Sequence, residues 1–494
     1  MSASKTIAQK ARVSVWPGVI GLAIATAYLI ALLDVERQNL IIALLFAGIV
    51  VVIAGAWLAV LDSVSASFAD HEDALGACAI IAALVIAAFF HENHFVLLLV
   101  ITVLLYSVAT LGLNVQFGYA GVLNFAGASF FGIGAYTSAV LNTYTSVPHL
   151  LVLVIGGLLA AFAGSLLLLP VLRTRGHYAA VVTIAFALLF KTFLEVNDVL
   201  GGPQGLQVKG MSILGWSFND NIKIGSASLS FYMNYFVVSL LLLVGAFILV
   251  RRLERSWIGL NLDALRLDET AANCFGLNIV RWKITAFLIG NFLIGIAGAL
   301  FGMVGGFVAP NNYTFADSLI LVSILLLGGI GNPLGLIVAT IIVVVVPEKL
   351  QTIQEYRFLL YALMVIAVLL FRPEGLLPRP VRRYFPGCGH ERVTRRAGSV
   401  QALRWCTGAR WAQSRGRSQR NSRADRPQWL RQDDVLQCHH RHLPSRCRQR
   451  HLQWRGRNQC ERTSGLPSRH GAYLPAFASV SPALHLRQHH DRQP

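Results

Sequence analysis

The residues of this 494-residue chain that can do chemistry are few, and their spacing points to binding rather than bond-breaking. Before residue 388 no Ser/His/Asp or Cys/His arrangement stands out. The two cysteines there, Cys78 and Cys274, have neither metal-ligand spacing nor a disulfide framework. His91 and His94 flank a short loop and read as interfacial. We read no catalytic residue, no metal site and no cofactor site from these positions.

Two other groups are chemically informative. The stretch 111–141, LGLNVQFGYAGVLNFAGASFFGIGAYTSAVL, sets Asn114, Gln116, Tyr119 and Asn124 among apolar residues and carries six glycines, Gly118 among them. Gly-rich backbone at membrane depth survives only where protein buries it or where it lines a cavity. In transporters such segments present free backbone groups to a substrate. Close helix packing through small residues is the competing explanation, and the residues alone leave both open. The second group is 256–281, SWIGLNLDALRLDETAANCFGLNIVR, a polar stretch of helical character. Apolar Leu262, Leu265, Ala272 and Phe275 interleave there with Arg266, Asp268 and Glu269. By composition alone it is a solvated connecting loop.

Smaller signals fit a membrane scaffold. Gly298, Gly302 and Gly306 recur at i, i+4 and i+8, a stripe for close helix contact. LLLGGIGNPLG at 325–335 interrupts an apolar run and reads as a break or re-entrant turn. Lys191 and Glu195 stand at i, i+4 and are expected to pair with each other and snorkel.

The elements that must position these residues are apolar helices. The chain is 55% hydrophobic and 13% charged, with mean hydropathy +0.58. Soluble domains carry about 25% charged residues, so a soluble enzyme is excluded. Apolar runs fall at 17–33, 39–61, 74–90, 95–113, 148–172, 178–195, 231–250, 282–308 and 355–371, with shorter ones at 129–142 and 317–346. At about 20 residues per span this predicts an all-α, polytopic membrane protein of roughly ten transmembrane or re-entrant helices. Residues 17–33 read as a retained first helix, because the N-terminus lacks a small-residue cleavage site. Lys and Arg gather at 5–12, 173–175, 251–281 and 372–383, which predicts cytoplasmic N- and C-termini and places loop 196–230 outside.

The formal charge of +18 belongs mostly to the end of the chain. Residues 388–494 hold 21 of the 42 Lys+Arg, all of them Arg, and 6 of the 24 acids. Residues 1–387 carry a net charge of only +3. The expected division is a transmembrane domain at 1–387 and an unstructured Arg-rich tail at 388–494.

Several stretches together carry a family resemblance. In order they are LGLNVQFGYAG and FFGIGAYT, LRTRGHYAAVVTIAFA at 172–187, LGGPQGL at 200–206, DETAANCFGLN at 268–278, LLGGIGNPLG at 326–335 and FRPEGLLP at 371–378. This resembles the permease subunit of high-affinity branched-chain amino acid ABC importers, specifically the larger of the two permease types, over about residues 90–380. The resemblance implies a bacterial inner-membrane protein. Its partners would be a second permease subunit, ABC ATPase subunits and a periplasmic substrate-binding protein, with an amino acid as substrate and lipid around it. It also implies that 256–281 docks on the ATPase, with Glu269, Ala271, Ala272 and Gly276 on the family's Glu-Ala-Ala…Gly pattern. Thr270 loosens that pattern. Arg266 and Asp268 complete the candidate coupling loop. Asn114, Gln116, Gly118, Tyr119 and Asn124 become candidates for the translocation path. ATP hydrolysis is left to the partners. The alternatives are a related permease for urea, amides or other amino acids, and an ion-coupled secondary transporter. The latter calls for intramembrane acid or His relays, which are scarce here.

The tail admits three readings. One is a basic arm for nucleic acid or anionic lipid. Another is a zinc site from Cys438, His439, His440, His442 and Cys447, whose spacing fits no standard pattern. The third is a shifted reading frame. Arg426 to Asp434, RPQWLRQDD, back-translates to codons that allow Gly-Pro-Asn-Gly-Ser-Gly-Lys-Thr-Thr one base later. That is the phosphate-binding loop G-x-x-x-x-G-K-[ST] of an ABC ATPase. Residues 435–441 allow Phe-Phe-Asn-Val-Ile-Thr-Gly in the same frame, and RRAGSVQAL at 395–403 resembles the ATPase's first strands unshifted. The tail is therefore expected to be frameshifted ATPase sequence, with no nucleotide site and no nucleic-acid partner.

Overall fold

The computed structural model describes residues 16–350, apart from 36, 58–71, 174–177 and short stretches within 214–226, together with scattered positions between 356 and 377. The apolar run 355–371 lies mostly outside the described residues, as does the whole Arg-rich tail.

Thirteen α-helices are described. In chain order they are α1 Trp16–Asp34, α2 Gln38–Trp57, α3 Glu72–Phe89, α4 His94–Asn114, α5 Gly127–Tyr144, α6 His149–Arg173 and α7 Tyr178–Val196. Then come α8 Tyr232–Arg255, α9 Trp257–Leu267, α10 Glu269–Cys274, α11 Ile279–Gly305, α12 Phe315–Gly328 and α13 Pro333–Lys349. Each apolar run from 17–33 to 282–308 coincides with one helix to within a few residues. Lacking charges inside, these runs can only satisfy their backbone polar groups in lipid as helices.

Among the described residues, seven helical segments are long and apolar enough to cross a bilayer: 16–34, 94–119, 149–172, 178–196, 232–255, 279–305 and 310–328. Roughly ten were expected. The count of seven covers the described residues alone, which leave out the side chains of α2 from residue 49 and most of the apolar run 355–371. α13 has 17 residues, about 26 Å at 1.5 Å per residue, which falls short of a bilayer core about 30 Å thick.

The break within 317–346 falls where Gly-Asn-Pro predicted it. Gly329 and Gly331 take φ of 101° and 91°, a region closed to most side chains. Asn332 then caps α13, its side-chain oxygen accepting from the amides of Leu334 and Gly335, with Pro333 in the first turn. The start of α12 is fixed by a capping box between Thr314 and Asp317.

Glycine sets the helix crossings. α11 runs through the core against α4, α5 and α6. A Cβ on Gly134 would strike the Gly295 carbonyl, and one on Gly298 would strike the Phe131 carbonyl. In lipid, no hydrophobic effect draws two apolar helices together, so close backbone approach and dispersion do that work. Within the predicted glycine stripe, Gly298 and Gly302 make such contacts. Gly306 instead ends α11 with φ of 65°.

Contacts define two ends. At one end, β1 (Leu206–Gln207) pairs antiparallel with β6 (Phe307–Val308). Short two-stranded ladders also join β2 (Ser212–Ile213) to β3 (Trp216–Ser217) and β4 (Ile222–Ile224) to β5 (Ala227–Leu229). The Ser230 amide bonds the His91 carbonyl there, and the Ser230 hydroxyl lies 2.7 Å from His94 Nδ1. At the same end the Lys349 ammonium donates to the carbonyls of Leu33 (2.6 Å) and Val35 (3.4 Å). The other end carries residues 115–126, α9, α10 and the 329–332 break.

Candidate functional site

Helix α4 does not stop at Asn114. It continues as a π-helical turn, Val115–Tyr119, in which the Ala120 amide reaches the Val115 carbonyl. A π turn is strained relative to α and persists where surroundings hold it. Here the surroundings are polar side chains. All five translocation-path candidates, Asn114, Gln116, Gly118, Tyr119 and Asn124, are buried at this turn and the loop after it.

Gln116 is the centre of a hydrogen-bonded chain. Its Nε2 donates to Asn291 Oδ1 at 2.8 Å, and its Oε1 accepts from Asn124 Nδ2 at 2.6 Å. Asn124 Oδ1 then accepts from the Ala126 amide at the entrance to α5. The chain therefore joins α4, α11 and α5. Glycines make room for it: a Cβ on Gly290 would lie 2.6 Å from Gln116 Nε2 and 2.6 Å from the Gly112 carbonyl. Asn291 was not among the sequence candidates. A lone amide inside the long apolar run of α11 was its only signal.

A second link runs from Asn114, whose Oδ1 accepts from the Gly331 amide at 2.8 Å. The 329–332 break in turn receives residues 375–377, the described part of the FRPEGLLP motif. The Leu376 amide donates to the Leu327 carbonyl at 2.8 Å, and Asn332 Nδ2 donates to the Leu377 carbonyl at 3.2 Å. Two motifs separated in the chain are thus one packed unit. Nδ2 of Asn114 and Nδ2 of Asn291 are buried without a protein acceptor.

The stretch 256–281 is not one loop but two short helices, α9 and α10, folded over this turn and leading into α11. Leu262, Leu265 and Ala272 face inward and are buried. Phe275 does not join them: it is 87% exposed, and Leu267 is 86% exposed. Asp268 separates the helices, its carboxylate capping α10 by accepting from the amides of Thr270 (2.8 Å) and Ala271 (3.1 Å). Glu269 is paired with Lys283 at 2.7 Å on the exposed surface. Gly276 takes φ of 83° just beyond α10, with open space around it. Ala271 faces solvent.

Arg266 joins the two groups that the sequence kept apart. Its Nη1 donates to the Gly118 carbonyl at 2.7 Å, and its side-chain stem packs where Gly121, at φ of 68°, carries no Cβ. Lys191 and Glu195 do pair, at 3.4 Å on a half-exposed face of α7. Among the described residues no group of three or more His, Cys, Asp or Glu could hold a metal ion.

A bundle of apolar helices, seven of them among the described residues long enough to span a bilayer, carries this polar-bonded turn beneath an exposed helical pair. Residues 95–369 match the family described as branched-chain amino acid transport system permease components, and the chain belongs to that family. It is 38% identical over 289 residues to the high-affinity branched-chain amino acid transport system permease protein LivM of Escherichia coli K12, covering 56% of this chain and 68% of that protein. It is 37% identical over the same length to LivM of Salmonella typhimurium LT2, with the same coverage. LivH of Escherichia coli K12, also named as a high-affinity branched-chain amino acid transport system permease protein, is 24% identical over 299 residues, covering 56% of this chain and 92% of that one. No solved structure matches the chain.

Proposed function

We propose that this chain is one of two permease subunits of an ATP-driven importer for leucine, isoleucine and valine. A second permease, two ABC ATPase subunits and a periplasmic substrate-binding protein would complete the assembly in a bacterial inner membrane. The observation that carries this reading is the family match across 95–369. The exposed pair α9–α10 adds to it, because the apolar side chains of Leu267 and Phe275 face solvent. An apolar surface rimmed by charge is a docking surface, and the ATPase is the partner a transport permease requires there. Glu269 and Ala271 lie exposed on this pair, Ala272 anchors it from the buried side, Gly276 follows it, and Asp268 shapes it.

The end that carries α9 and α10 also carries Arg252, Arg255, Arg266 and Arg281. Positive residues collect on the cytoplasmic side, so this end faces the cytoplasm and the β1–β6 end faces the binding protein. The Lys and Arg at 5–12 and 372–383 support reading both termini as cytoplasmic. The path candidates Asn114, Gln116, Gly118, Tyr119 and Asn124 stand at the cytoplasmic end, where they would form the inner gate of the path. The chain itself carries out no hydrolysis in this reading. The Arg-rich tail from 388 is read as frameshifted ATPase sequence, and the gene's own nucleotide sequence tests that: a +1 frame without a long ATPase-like reading overturns it.

Reconstitution with these partners tests the function. ATP-dependent uptake of labelled leucine is the expected result. Uptake of urea or short amides with none of leucine, isoleucine or valine would replace the substrate assignment with its nearest alternative.

A further inference from the structure

We propose that Arg266 is a positioning residue that transmits movement of α9–α10 to the π turn 115–119. This rests on reading 256–281 as the ATPase-coupling loop, and it identifies a bonded connection from that loop to the buried gate.

The last carbonyls of α4 and its π turn have no partner within the helix. Gly118 carries one of them, and the Arg266 guanidinium supplies the donor at 2.7 Å. A cation there also meets the negative end of the helix dipole of a 26-residue span. The bond is charge-assisted, and such bonds are shorter and stronger than neutral ones. The far side of Gly118 is equally constrained. A Cβ on Gly118 would collide with Asn114 Oδ1 and lie 2.9 Å from the Gly331 amide. The Gly118 backbone therefore packs directly against the Asn114–Gly331 bond, which leads to the break between α12 and α13.

The receiving element has two conformations within reach. A π turn becomes an α turn when one residue leaves it, which rotates the next segment of chain by about 100° at 3.6 residues per turn. That segment contains Asn124 and leads into α5, and Asn124 bonds both Gln116 and the Ala126 amide. Arg266 on one side and Asn114 on the other hold the π form. Tilting α9–α10 pulls the guanidinium from the carbonyl and releases the turn. Such a bistable element is what coupling between two sites requires.

The test uses the complete importer in liposomes, with leucine uptake and ATP hydrolysis measured on the same vesicles. For Arg266→Ala and Arg266→Gln we expect leucine carried per ATP hydrolysed to fall about tenfold or more, a normal size for a coupling loss. Arg266→Lys, which keeps a cationic donor, restores part of the ratio. Hydrogen exchange at 118–122 is the second readout. It changes on ATPase binding in the wild type and no longer does so in Arg266→Ala. An unchanged ratio overturns the proposal. So does failure of Ala and Gln variants alike to assemble, since that makes Arg266 a folding residue. Loss of ATPase binding without any change at 118–122 would also count against it. If the wild type hydrolyses ATP but carries no leucine, the substrate reading fails instead; exchange at 118–122 still judges Arg266.

Discussion

Asn114 and Gly331 are 217 positions apart, yet the side-chain oxygen of one accepts a 2.8 Å hydrogen bond from the amide of the other. The bond fastens the π turn of α4 to the break between α12 and α13. Asn114→Leu should leave the Gly331 N–H buried without an acceptor, at a cost of about 1–3 kcal/mol. Thermal melting of the purified permease in detergent measures this as a lowered midpoint. An unchanged midpoint would mean that the bond is not formed in the folded protein.

Gln116 and Asn291 offer a paired test. Polar bonds between membrane helices average about 0.6 kcal/mol, with the largest near about 1.7 kcal/mol. A double-mutant cycle of Gln116→Leu and Asn291→Leu should give a coupling energy in that range. Strict additivity of the two losses would contradict the 2.8 Å contact.

The helix positions were legible because long uncharged runs admit one conformation in lipid, and α1, α4, α6, α7, α8 and α11 lie close to those runs. The break before Pro333 was legible for the same local reason. The π turn was not. Its register depends on Asn291, Gly331 and Arg266, none of them near it in the chain, and local periodicity carries no trace of such partners. The two sides of 256–281 were not legible either: composition read it as a solvated connecting loop, whereas the reversal at Asp268 leaves Phe275 outward and Leu262 and Leu265 inside. Lys349 gives no distinctive signal, because a lone lysine at a helix end looks like an interfacial anchor. Its partners are carbonyls at the far end of α1.

Phe275→Asp and Leu267→Asp should leave the permease folded, since both side chains are more than four-fifths exposed. Exposed substitutions usually stay within about 0.5 kcal/mol. Co-purification with the ATPase is the readout, and both variants should lose it. Retention of the ATPase by the double variant would show that the docking surface lies elsewhere.

Glycine substitutions should separate sharply by position. Gly298→Ala sets a methyl against the Phe131 carbonyl and Gly134→Ala sets one against Gly295, overpacking that costs about 1–3 kcal/mol or more. Gly245→Ala on α8 meets nothing within 4 Å and should be neutral or stabilising by up to about 1 kcal/mol. Monodisperse yield from gel filtration ranks the three. Equal yields would argue against the glycine-set crossings.

Ending the chain at residue 387 should leave transport intact. The tail contributes +15 of formal charge but no part of the family match. Uptake by the shortened chain, compared with the full one at equal membrane levels, decides this. A loss of more than about tenfold, the scale of a change of about 1.4 kcal/mol, would assign the tail a role.

The small ladder between Leu206–Gln207 and Phe307–Val308 has a mechanical meaning. It rivets the loop after α7 to the residues just beyond α11, while the opposite end of α11 is held by side-chain bonds and lies beside the Arg266 strut. The β1–β6 pair thus keeps this tip of α11 in register with the loop after α7. Crosslinking Gln207 to Phe307 should therefore be tolerated during turnover.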